Sequence, residues 1–138
     1  MQRKHVLAAL AGVIGASIAI GFGVAVGQQA PPTVTQGVRI SPPLALDLGE
    51  EIDGVSGRQL RLRVVTIEPG GVIAIHSHNG RPGVAYVVRG VLTEHIEGMG
   101  TIDHYEGQSW TEGKTTTHWA ENKGDAPVVV VAVDVFKP

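Results

Sequence analysis

From Arg58 onward the chain consists of short apolar runs cut by glycine-rich turns at roughly ten-residue spacing, and none of these runs has the 3.6-residue period of a helix. Successive side chains of a strand point to opposite faces, so such runs can hide their apolar positions only by packing sheet against sheet. Leu60, Leu62 and Val64 alternate with Arg61 and Arg63, which predicts a half-buried strand ending at the turn signal Glu68-Pro69-Gly70-Gly71. Further strands are predicted over Val72 to His78, Val84 to Arg89, the stretch after Gly90 through Glu97, and Thr115 to Glu121. Gly98, Gly100 and Gly107 mark reversals. The last run, Ala126 to Val133, is apolar on both parities, as expected of a strand covered on both sides. The fold class is all-β, a small barrel or sandwich.

The first 27 residues are of another kind. Arg3, Lys4 and His5 form a basic head, and the 21 residues from Val6 to Val26 carry no charge. This reads as a signal peptide cleaved after Gly27, with export to a bacterial periplasm or the cell exterior; retained, it would be an inner-membrane anchor. Residues 28–57 read as an extended arm and connecting segment, with Thr33 to Ile40 as an edge strand stopped by Pro42-Pro43. Residues 58–138 are the barrel.

Once Arg3 and Lys4 are removed, nine Lys/Arg face thirteen Asp/Glu, a formal charge of −4. Arg58, Arg61 and Arg63 cluster among acids with few aromatics nearby, so nucleic acid is excluded as a partner. A membrane is a partner only through a retained leader. The chain has no cysteine, which removes disulfides and thiolate ligands; a metal would have to be held by His, Asp, Glu or Asn.

Such ligands are at hand. In His76-Ser77-His78 two imidazoles lie at i and i+2, on one face of a strand, and His118 follows forty residues after His78. Gly70, five residues, His76-x-His78, then Gly90, followed by Gly107, His118 and Asn122, resemble in spacing the two sequence motifs of the cupins. The resemblance covers roughly residues 58 to 137. It implies a single-domain cupin, a jelly-roll β-barrel preceded by the hydrophobic leader, with His76, His78 and His118 as ligands of one divalent transition metal ion. Zinc or iron suits three imidazoles with an open position, and nickel, copper and cobalt are also compatible.

Two departures stand out. The proline and second glycine of the second motif are replaced by Gly113 and Thr115. The first motif's glutamate position falls on Gly83, which has no side chain to offer. Three neutral imidazoles would then leave the ion's charge uncompensated, so the site is expected to attract an anionic ligand or acidify a bound water. The resemblance implies a metal-dependent enzyme acting on a small anionic or enolic molecule, dioxygenase-like. A metal-dependent isomerase or lyase, or a non-catalytic cupin that binds a small ligand or metal, are the alternatives.

Among the remaining residues, His95 is a proton-transfer candidate if it faces the lumen and a solvated side chain if it does not. His104 is expected at the surface. Tyr86 is expected to pack away from the lumen, Trp119 to alternate away from His118, and Ala85 and Val87 to give the cavity a small apolar wall. The facing of Glu94, Glu97 and Glu106 is undetermined by pattern. Barrels of this type pair through edge strands, which predicts a homodimer, with the arm a candidate for exchange between subunits.

Overall fold

The period-two runs form antiparallel strands: β1 (Gln36–Ile40), β2 (Leu44–Asp47), β3 (Gln59–Ser77), β4 (Gly83–Arg89), β5 (Val91–Ile96), β6 (Gly100–Tyr105), β7 (Ser109–Glu112), β8 (Thr117–Glu121) and β9 (Val128–Phe136). The structure, a computed structural model, describes residues 30–138. The leader expected at residues 1–27 lies outside them. Among the described residues no helix is long and apolar enough to cross a membrane. The hydrogen-bonded order is β6-β5-β8-β3-β9-β4-β7, with β1 and β2 also paired to β3. The result is an all-β jelly-roll barrel.

Strand β3 joins the two halves of this order. Its residues 59–67 pair with β9 and its residues 72–77 with β8. The segment Glu68-Pro69-Gly70-Gly71, which signals a reversal in the sequence, is instead a corner within one 19-residue strand. Pro69 has no N–H to give to a ladder, and Gly70 adopts φ +72, in the left-handed region. A Cβ at Gly71 would lie 2.7 Å from the Gly37 carbonyl and 2.8 Å from that of Glu68, so only glycine fits the close approach of β1. Asn122 braces the corner. Its Nδ2 donates to the carbonyls of Ile67 and Ala126, both at 2.9 Å, and its Oδ1 accepts from the Gly124 N–H.

The interior is apolar at one end and polar at the other. Val65 and Ile67 of β3, Val87 of β4, Leu92 of β5, Ala120 of β8 and Val128 and Val130 of β9 form the core. Each large side chain buried there contributes about 1.5–3 kcal/mol. Further along the same strands the register sets Arg61 beside Asp134, Asp134 beside Gly83 and Gly83 beside Glu112.

That polar row reverses one expectation. The half-buried strand at residues 59–65 is present, but its covered face is the arginine face, while Leu60 and Leu62 are 41% and 36% exposed. The cause is Asp134, only 2% exposed, which accepts from Arg61 Nε at 3.0 Å and Nη2 at 2.7 Å, and from Arg63 Nη2 at 3.0 Å. The Arg61 guanidinium also lies 3.7 Å above the centre of the Phe136 ring. Outside, β2 sets Leu44 against Leu62 and Leu46 against Leu60, a strand where the sequence predicted only connecting structure. β9 is buried at Val128, Val130 and Asp134 on one face, while Val129, Val131 and Val133 on the other are half-buried.

Candidate metal centre

A bulge aims the histidines. Ile73 pairs with Ala120 and His76 with His118, so β3 spends three steps where β8 spends two. The extra residue switches the parity of β3, which lets Ile73 pack against the core and still turns His76 into the lumen. His78 follows two residues later, just past the strand end, its N–H donating to the Thr116 carbonyl. His118 arrives directly across the ladder from His76.

The three rings meet at their Nε2 atoms. His76 and His78 are 3.2 Å apart there, His78 and His118 3.0 Å, and His118 and His76 3.1 Å. The other ring nitrogens decide what those atoms are. His76 Nδ1 is 2.9 Å from the Ala74 carbonyl and His78 Nδ1 is 3.1 Å from the Arg81 carbonyl; a carbonyl only accepts, so each Nδ1 carries the hydrogen. His118 Nδ1 donates to Glu94 Oε1. All three Nε2 atoms therefore present lone pairs to one point, an arrangement that repels itself until a cation sits between them.

The spacing fits such a cation. Bonds of about 2.0–2.1 Å to imidazole place neighbouring ligand atoms about 2.9 to 3.4 Å apart in octahedral and tetrahedral shells. The three histidines form a group that could hold one ion. Burial, ahead of the neighbouring His118 and Arg81, lowers His78 to about 4, and burial likewise lowers His76. Both stay neutral and ready to coordinate at neutral pH.

Two carboxylates stand beside this face, and pattern alone revealed neither role. Glu94, on β5, is almost wholly buried and accepts from His118 on one oxygen and from His104 Nε2 at 2.7 Å on the other. Burial works against its ionisation, yet the bonds from His118 and His104 hold it below the usual carboxylate range. It fixes the His118 ring from behind. His104, expected at the surface, is 7% exposed and stacked on Trp110 at 3.9 Å. The second carboxylate is Glu112 at the end of β7. Its Oε2 lies 3.3 Å from His78 Nε2 and its Oε1 3.9 Å from His118 Nε2, and burial pushes its carboxyl up. The site expected to lack any carboxylate beside the imidazoles has one within reach.

His95 is not part of the site. It follows Glu94 on β5, so it points out of the lumen, stacked at 3.7 Å on Trp119, with Nε2 2.7 Å from Glu121 and Nδ1 3.0 Å from Thr101. Trp119 is buried on that same outer face, as its alternation with His118 predicted. Tyr86 also points outward but is 46% exposed, so it faces away from the lumen without being packed. Ala85 lines the cavity, as expected, whereas Val87 is fully buried in the apolar core and does not reach it.

A cavity of about 290 Å³ opens in front of the histidines, with Ala85, Val65 and Val130 among its apolar walls and Arg63 and Arg81 on its polar side. Arg61, Arg63 and Arg81 all converge on Asp134, the last with Nε at 3.7 Å. One carboxylate thus faces three guanidiniums, with Glu112 the other acid acting on Arg63. Burial lowers Arg63, and its Nε makes no hydrogen bond.

A jelly-roll barrel with three imidazoles converging inside its polar end defines a class, and comparison with known proteins agrees. Residues 63–135 match the family model of the cupin domain. The chain belongs to the cupin family. Among solved structures it is similar to the cupin domain of an XRE family transcriptional regulator from Enterobacter cloacae, at 17% identity and a TM-score of 0.57, covering 75% of this chain and all of that one. It is also similar to a sugar phosphate isomerase of the cupin superfamily from Silicibacter pomeroyi, at 18% identity and a TM-score of 0.51, covering 73% of each chain. A third is a predicted oxalate decarboxylase from Thermotoga maritima, at 16% identity and a TM-score of 0.50, covering 68% of this chain and 91% of that one. At these identities the likeness shows the fold. No curated protein matches the sequence.

Proposed function

We propose that this cupin holds one divalent transition metal ion on His76, His78 and His118 and acts as a metal-dependent enzyme on a small anionic or enolic molecule bound in the cavity beside them. The observation that carries the reading is the commitment of all three Nδ1 hydrogens to outer oxygens, which leaves three converging lone pairs. The ion, when bound, supplies Lewis acidity and, if it is iron, redox chemistry. The chain's own residues do the rest. Arg63 and Arg81 attract the anion and orient it, Glu94 keeps His118 in its ligating tautomer, and the apolar wall at Ala85 and Val65 limits water. A cavity of about 290 Å³ restricts the occupant to a small molecule.

Two reaction classes are compatible with this site. In the dioxygenase-like reading dioxygen is the oxidant of an enolic or 2-oxo acid that Arg63 and Arg81 would hold in the cavity beside the histidines. The isomerase or lyase reading gains support from two structural neighbours whose names refer to sugar phosphate and oxalate, both small anions. Elemental analysis of the purified protein and of His76→Ala tests the centre: near-stoichiometric metal, lost in the variant, is expected, and equal trace content in both would overturn it. Oxygen uptake by the iron-loaded protein with a panel of enolic and 2-oxo acids then selects the dioxygenase-like class, and product formation without uptake selects the other.

The exposed rows Leu44–Leu62 and Leu46–Leu60 support a homodimer packed through this outer face. Light scattering that finds only monomer at high concentration removes that part of the proposal.

A further inference from the structure

Position 83 on β4 is glycine and offers the three histidines no carboxylate, whereas β7 offers one. Gly83 and Glu112 are directly opposite in the β4–β7 ladder. A Cβ built on Gly83 would lie 3.3 Å from Glu112 Oε2. The Glu112 carboxylate therefore occupies the space into which a side chain from position 83 would grow. It enters the lumen from the neighbouring strand and ends 3.3 Å from His78 Nε2, within the spacing of two ligand atoms sharing one ion.

Its surroundings point the same way. Glu112 is buried, and among the described residues no arginine forms an ion pair with it: Arg61, Arg63 and Arg81 reach Asp134 instead. The ion-pair distances Glu112 does make are to His78 and His118, and both of those rings carry their hydrogen on Nδ1 and turn an acceptor nitrogen toward it. A buried carboxylate set against acceptors is unfavourable unless a proton or a metal cation lies between them, and the metal cation satisfies all three rings together with the carboxylate. We propose that Glu112 is the fourth protein ligand of the centre, a carboxylate moved across the ladder from β4 to β7. This rests on the three-histidine centre proposed above. With it three neutral imidazoles and one anion would hold the ion, so a dipositive ion would retain a single net charge, and the attraction for an anionic substrate shifts onto Arg63 and Arg81.

The test uses zinc and cobalt(II) on the full-length protein. Zinc affinity is measured by competition with a chromophoric chelator, and the cobalt form by its visible absorption bands, which respond to ligand identity. If wild type binds no zinc, the three-histidine reading itself fails. If it binds, Glu112→Gln is expected to weaken zinc by at least about tenfold and to shift the cobalt bands, while Glu112→Asp, which keeps the charge on a shorter arm, falls between. Unchanged affinity and bands in Glu112→Gln overturn the assignment. So does weakened affinity with unshifted bands, because the carboxylate would then act on the site without touching the ion. The double variant Gly83→Glu with Glu112→Ala returns the carboxylate to β4 and clears the contact at 3.3 Å, although its Cβ meets the Val133 carbonyl at 3.0 Å. Recovery of affinity in that variant supports ligation, and if it does not fold the two single variants decide.

Discussion

Strands β5 and β8 carry two imidazole–carboxylate pairs, one on each face. Inside, His118 donates to Glu94; outside, His95 meets Glu121 at 2.7 Å. The chemistry of the two contacts is the same and their settings are not. The inner pair leaves His118 Nε2 free to face His76 and His78 in the lumen, with His104 holding the second oxygen of Glu94. The outer pair uses both nitrogens of His95, on Glu121 and Thr101, and covers the ring with Trp119. An imidazole becomes a candidate ligand here through the face it occupies and the nitrogen its partner leaves free, not through having a carboxylate beside it.

The sharpest way to break this contrast is to delete one ring from each pair. His118→Ala is expected to leave the protein without retained metal after dialysis, whereas His95→Ala keeps the wild-type stoichiometry; equal loss in both would mean that the two faces are not distinct. Changing the carboxylates gives the next effect. Glu94→Gln, by removing the charge behind His118, is expected to weaken metal binding about 10–100-fold, and Glu121→Gln to change it less than about twofold, both read by chelator competition.

Acid offers a third comparison. His78 is held at about 4 in the folded chain against an ordinary value of 6.5, so between those limits the unfolded chain binds a proton that the folded one does not. Stability of the metal-free protein is therefore full above about pH 6.5 and falls as pH drops toward 4, with a slope near 1.4 kcal/mol per pH unit for this one group. His76, lowered in the same direction, steepens it. Urea midpoints across that range measure the slope, and a flat profile would contradict the burial of these rings. The smallest effect belongs to the outer pair: His95→Ala loses a stacked ring and its hydrogen bonds and is expected to cost about 1 kcal/mol in urea unfolding.

Much of the barrel was readable from alternation and glycine spacing, and the three-histidine face from the i, i+2 rule together with the resemblance in motif spacing. The departures share a physical origin. Period-two reasoning assigns the apolar parity to the inside, and on β3 a single buried acid, Asp134, seventy-three positions after Arg61, reverses that assignment. Pro-Gly-Gly ordinarily signals a reversal, but with Asn122 and the close approach of Gly37 available it becomes a bend. Pattern alone leaves the facing of Glu94 open and gives Glu112 no role, because their partners come from cross-strand register and from a bulge at residues 73–76, which one sequence does not display. The parity of Glu112 with Trp110 on one strand, and its position six residues before His118, were the only local traces.

The uninterrupted course of β3 through both halves of the barrel bears on how the molecule opens. Because one strand supplies ladder partners to β9 through residues 59–67 and to β8 through residues 72–77, the backbone that carries His76 continues directly into the segment that carries Val65 and Ile67. Metal held by the histidines is expected to slow amide exchange along β3 beyond the ladder it closes with β8, and the reach of that protection measures how far the two halves open together.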